Sequence, residues 1–96
     1  MSHSQISGKK AQKLVEQGAV LIDVRNPVAF RDGSLPGAVN LSLRQIPQVQ
    51  KHPKTTTFVL FGESETDDTL KAAINYINLY GYTKVFSLGS IDNWNK

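Results

Sequence analysis

The sequence predicts a small α/β domain with a mostly parallel sheet of four to five strands and helices on both faces. Three observations carry this expectation. Stretches of strand character and of helical character alternate along the chain, the pattern of βα units. Residues 19–25 (A-V-L-I-D-V-R) form a near-continuous apolar run, the mark of a strand covered on both faces rather than half-solvated. Helical segments run into Gly18 and Gly81, the residue type that ends helices in a left-handed conformation. At 96 residues, the chain is expected to be one domain, residues 1–96, with a sizeable core.

Ile6 is expected to end a short first strand. Ser7 is a good N-cap, and Ala11, Leu14 and Val15 repeat at helical spacing up to Gly18. After the strand at residues 19–25, Pro27 suits the first turn of a short helix, 28–31, which Gly33 would close. Residues 34–37 (S-L-P-G) read as a turn and 38–41 as another short strand. Ser42 could cap a helix over Leu43, Ile46 and Val49, against which Pro47 argues, since an interior proline loses a backbone hydrogen bond. A polar connector, 51–56, leads to a strand at 57–61. Leu70, Ala73, Ile74 and Ile77 then fall at i, i+3, i+4 and i+7. A last strand is expected at 84–88. Gly89 is expected to turn the chain into a terminal helical turn, 91–94, that docks Trp94.

Composition narrows the function classes. With no cysteine, disulfides, thiolate metal sites and thiolate nucleophiles are excluded. No apolar run approaches the roughly 18–20 residues of a membrane span, and the first ten residues lack a secretory apolar segment, so a cytoplasmic location is expected. The net charge of +3 comes from 11 basic and 8 acidic residues, unevenly placed. Four of the acids, Glu63, Glu65, Asp67 and Asp68, fall in one short segment, leaving a +7 body (eleven basic less four acidic residues). Lys9, Lys10 and Lys13 crowd the first helix without interleaved aromatics, so nucleic-acid binding is not expected. The acidic segment lacks the ladder of a calcium loop, and neither a metal nor a cofactor is expected.

Residues 21–43 (L-I-D-V-R-N-P-V-A-F-R-D-G-S-L-P-G-A-V-N-L-S-L) closely resemble the rhodanese-like family, in which D-V-R-x-P-x-x-[YF]-x-x-G-H-I-P-G-A-x-[NH] is diagnostic. Asp23, Val24, Arg25, Pro27, Phe30, Gly33, Pro36, Gly37, Ala38 and Asn40 match without a gap. Residues 81–94 (G-Y-T-K-V-F-S-L-G-S-I-D-N-W) resemble the family's G-Y-x-x-V-x-x-L-x-G-G-x-x-x-W ending. The resemblance implies transfer of a sulfane sulfur through a cysteine persulfide, from a donor such as thiosulfate. In the family that cysteine opens a loop of the form C-x-x-G-x-R-S between a strand and the next helix. Laid over this chain, Gly62 takes the cysteine's position, Glu65 the loop glycine's, Asp67 the arginine's and Asp68 the serine's. Ser34 stands for the histidine of G-H-I-P-G and Ser90 for the second glycine near the end.

The sequence therefore directs attention to a degenerate active-site loop, Gly62, Glu63, Ser64, Glu65, Thr66, Asp67 and Asp68, with no catalytic residue. Gly62 has no atom to carry a covalent intermediate. Two unit charges about 5 Å apart repel by roughly 3 kcal/mol at an effective dielectric near 20, so small anionic substrates are disfavoured at this loop. Ser64 and Thr66 are hydroxyls without an expected base, since His3 lies at the terminus and His52 in a connector. Asp67 and Asp68 equally suit simple helix capping.

Asp23 and Arg25 are expected to support the rim. The preferred reading has Arg25 paired with Asp23 or Asp32; the alternative has it reaching Asp67 or Asp68. Trp94, Tyr76, Tyr80 and Tyr82 read as core or half-buried packing residues. The expected function is that of an inactive rhodanese-like domain acting as a protein-binding or regulatory module, its acidic loop presented to a basic segment of a partner. The alternatives are a sulfurtransferase-related protein, or an inactive companion of an active rhodanese in sulfur transfer.

Overall fold

The computed structural model describes residues 4–96. Five strands, β1 (Ser4–Gln5), β2 (Val20–Asp23), β3 (Val39–Asn40), β4 (Thr57–Gly62) and β5 (Lys84–Ser90), form one sheet in the order β1-β5-β4-β2-β3. Every neighbouring pair is parallel, so the sheet meets the upper end of the four to five strands expected. Helices α1 (Gly8–Glu16), α2 (Pro27–Asp32) and α3 (Asp68–Leu79) and two 3₁₀ helices, Leu43–Lys51 and Ile91–Asn95, make the connections.

The central strands bury both faces. Along β4, Phe58 and Leu60 point into one core with Ile46 and Val49 of the first 3₁₀ helix and Leu70, Ile74 and Ile77 of α3. Val59 and Phe61 point into the other, with Ala11 of α1, Leu88, and the half-buried Trp94. The unbroken apolar run thus reflects two covered faces, as parallel strands require.

Local chemistry sets the ends. Ser7 caps α1 by accepting from the Lys10 amide, and Asn26, not singled out in the sequence, caps α2 by accepting from Ala29. Pro47 lies inside the first 3₁₀ helix, a segment that is not the α-helix against which proline argued. Gly18 and Gly81 adopt φ of 105° and 103°, as their places after α1 and α3 predict.

Two expectations are corrected. Gly89 does not turn the chain: at φ 87° it stays in β5, whose register against β4 skips Leu88, so that Phe61 faces Gly89 and Gly62 faces Ser90. The Leu88 carbonyl, displaced by this bulge, accepts instead from Gln5 Nε2 at 3.0 Å and Asn93 Nδ2 at 2.8 Å. Tyr76 is not a packing residue, being 43% exposed on α3 beside the 80%-exposed Leu79. Tyr82 is buried, and Tyr80 and Trp94 are half-buried. His3 lies outside the described residues.

Candidate functional site

Because all strands are parallel, the ends of β2, β4 and β5 share one rim, where the crevice of an open α/β sheet lies. Asp23 pairs with Phe61 and Gly62 with Ser90, so the segments leaving these strands are neighbours.

The turn after β2 is braced from a buried carboxylate. Asp23 is fully buried and accepts from the Arg25 amide (2.9 Å), from Arg25 Nε (3.0 Å) and Nη2 (2.8 Å), and from Ser34 Oγ (2.8 Å). Arg25 Nη2 also donates to the Gly33 carbonyl at 2.6 Å, and its guanidinium lies 5.8 Å from the centre of the Phe61 ring. Asn40 Nδ2 ties the Asp23 and Arg25 carbonyls, both at 2.9 Å. The hydrogen bond to Asp23, outweighing the opposing effect of burial, holds the Arg25 pKa above its ordinary value, and the charges of Asp23 and then Glu63 add weaker attraction. Arg25 therefore takes the bracing arrangement with Asp23; the alternative of contact with Asp67 or Asp68 does not form.

The turn after β4 is organised around Asp67. As N-cap of α3, its Oδ1 accepts from the Thr69 amide at 2.9 Å. Its other oxygen reaches back across the turn and accepts from the Glu63 amide at 3.0 Å. The Asp67 amide in turn donates to the Ser64 carbonyl (3.2 Å) and the Thr66 amide to Ser64 Oγ (3.3 Å). Four backbone donors of this turn are thus consumed by its own acceptors. The carboxylate also fills the space above Gly62, where a Cβ would lie 2.5 Å from Asp67 Oδ2 and 3.3 Å from Leu70 Cβ. Gly62 has an ordinary φ, so it is this lack of room, not backbone conformation, that suits glycine here.

The other side chains of the turn point outward. Glu63, Ser64, Glu65, Thr66 and Asp68 are exposed, and Ser64 Oγ shares a 3.2 Å hydrogen bond with Thr66 Oγ1 rather than with a base. The Glu65 stem covers Gly89, whose added Cβ would lie 2.6 Å from Glu65 Cγ, and its carboxylate touches Asn93 Nδ2 at 3.4 Å. Among the described residues, Asp23–Arg25 is the one ion pair, so the four acids of the turn have no cation within 4 Å. No cluster of three or more metal-binding side chains occurs among the described residues.

The sequence model of the rhodanese-like domain matches residues 7–96. The chain belongs to the rhodanese-like family. It is 31% identical over 94 residues to the thiosulfate sulfurtransferase GlpE of Pseudomonas syringae, covering 94% of this chain and 85% of that one. The enzyme of the same name from Ectopseudomonas mendocina is 28% identical over 91 residues, covering 94% and 83%. Among solved structures, the rhodanese-like domain of an Anabaena protein superposes with a TM-score of 0.78 at 19% identity, over 97% of this chain and 74% of that one. A single-domain sulfurtransferase of Saccharomyces cerevisiae superposes at 0.74 and 20% identity, over 99% and 90%. These likenesses settle the rhodanese fold. A rhodanese-like chain without cysteine lacks the family's active-site thiol, consistent with loss of sulfurtransferase activity.

Sequence reasoning recognised Asp67 as a cap but missed its second bond, back to Glu63. It also missed Glu65 packing on Gly89. Ser34 and Asn40 were seen as motif positions; their roles as partners of Asp23 and its turn needed coordinates.

Proposed function

We propose that this rhodanese-like domain is catalytically inactive at its β4–α3 turn and serves as a cytoplasmic protein-binding or regulatory module. In this reading Gly62, Glu63, Ser64, Glu65, Thr66, Asp67 and Asp68 are a degenerate active-site loop, and Asp23 and Arg25 hold the adjoining rim rigid. The observation that carries it is the pairing of an inward carboxylate with outward ones. Asp67 occupies the donors an anion would need, while Glu63, Glu65 and Asp68 stand exposed with no cation of the described residues within 4 Å. Such a surface repels thiosulfate and favours a basic segment of another protein. The domain carries no helix long and apolar enough to cross a membrane among the described residues.

The test is affinity capture with the intact chain against its E63Q/E65Q/D68N variant, which leaves the structural Asp67 in place. Loss of a salt-sensitive partner in the variant supports the assignment. Equal capture by both removes the turn from the contact surface.

Similarity to thiosulfate sulfurtransferases favours a second reading, an inactive companion of an active rhodanese. Co-purification with a persulfide-carrying protein, and a change in that protein's turnover on adding this chain, would separate it from the first.

A further inference from the structure

A second concavity lies at the opposite end of the sheet from the β4–α3 turn. Strand β3 is two residues long and pairs only with Ile22 and Asp23, whereas β2 begins at Val20. Val20 and Leu21 are paired with Phe58 and Val59 of β4, and among the described residues neither has a register partner in β3. Asp23 presents its carbonyl to Leu41, on the β3 side. Leu21, two residues earlier in the same pleat, directs its backbone groups the same way; the Ile22–Val39 bridge engages its carbonyl, which leaves its N–H at the gap. The first 3₁₀ helix roofs this gap, leaving a cleft of about 470 Å³. That volume falls within the roughly 300–1,000 Å³ of small-molecule sites.

Its walls are apolar, formed by Val20, Ile22, Val39, Leu41 and Val49, and Val39 remains 45% exposed there. Lys51 and His52 stand at the wall, and no acidic side chain of the described residues lines it. Val39 closes the gap after two residues of β2 edge, too short for an added strand. An apolar cleft with the Lys51 ammonium and a strand-edge amide at its border fits a compact ligand with an apolar body and one carboxylate.

We propose that this cleft is a binding site for small amphipathic carboxylates, independent of the β4–α3 turn. Octanoate is the probe, with neutral octanamide as control, in an amide chemical-shift titration of the full chain. Octanoate should shift the Leu21, Val39 and Val49 amides saturably while leaving Glu63 and Thr69 unmoved. Lys51→Glu, at an exposed position, should weaken octanoate about tenfold, equivalent to roughly 1.4 kcal/mol, and leave octanamide unchanged. Val39→Asp should weaken both. No saturable shift at the cleft amides, shifts confined to the β4–α3 turn, equal loss of both probes in Lys51→Glu, or no loss in either variant would each overturn the proposal.

Discussion

At the scale of the residue, Asp67 and Gly62 form one unit. The carboxylate bonds two amides and occupies the volume over Gly62, so a side chain at 62 and a carboxylate at 67 compete for the same space. Gly62→Cys alone should therefore leave thiosulfate:cyanide turnover at the background of a heat-killed control, and should lower the urea midpoint by displacing the cap. Asp67→Ala should cost about 1–2 kcal/mol in urea unfolding, since it removes an N-cap and frees the Glu63 amide. Asp23 and Arg25 make a similar pair on the neighbouring turn. Arg25→Ala strands a fully buried carboxylate and should cost roughly 3 kcal/mol by the same measurement, near the low end for a broken buried pair because the arginine reaches the surface. The guanidinium's pKa is raised in the fold, so its contribution is complete below the ordinary arginine range and is lost only as pH rises through it; Arg25 should add no slope to stability across neutral pH.

At the scale of the element, the expected segments were legible because parallel strands and amphipathic helices each leave a period in the sequence. Residues 19–25 and 57–61 read as strands from unbroken hydrophobicity, and α3 from Leu70, Ala73, Ile74 and Ile77. Less legible was whatever depends on a partner distant in sequence. Gly89 looks like a turn because φ above zero is common there; only the bulge against Phe61, with the Leu88 carbonyl taken by Gln5 and Asn93, keeps it in the strand. Tyr76 has the composition of a core residue, but its position on α3 places it on the outer face. Tyr82 shows the same dependence in reverse, for its hydroxyl lies 2.8 Å from the Val49 carbonyl and 2.6 Å from the His52 carbonyl and shares its one proton between them. These bonds tie the end of the first 3₁₀ helix to the segment before β5. Tyr82→Phe should cost about 1–2 kcal/mol in urea unfolding and hasten amide exchange at the end of that helix. An unchanged midpoint would mean that the helix end is held by Ile46 and Val49 packing alone.

For the molecule as a whole, the fold and the chemistry have separable sequence requirements. The positions that build the rim, Asp23, Arg25, Asn40 and their turn, are present and engaged, while the proposed loop positions differ in both charge and reactivity. On this division, the scaffold should accept the family's loop chemistry when the loop is changed as a set. The variant G62C/E65G/D67R/D68S restores a thiol, a small residue in place of the stem over Gly89, a cation and a hydroxyl, and it removes the carboxylate that holds the Glu63 and Thr69 amides. Freed amides and a guanidinium then face the anion together, the arrangement from which electrostatic stabilisation arises. The combined variant should show thiosulfate-dependent persulfide formation by mass spectrometry and cyanide turnover above background, where G62C alone shows neither. Loss of the N-cap makes folding the competing explanation for failure, so the unfolding midpoint and the Tyr82 hydroxyl environment are read in the same samples. A folded but inert quadruple variant would show that degeneration extends beyond the loop, most directly to Ser34, where the family carries histidine beside the buried Asp23.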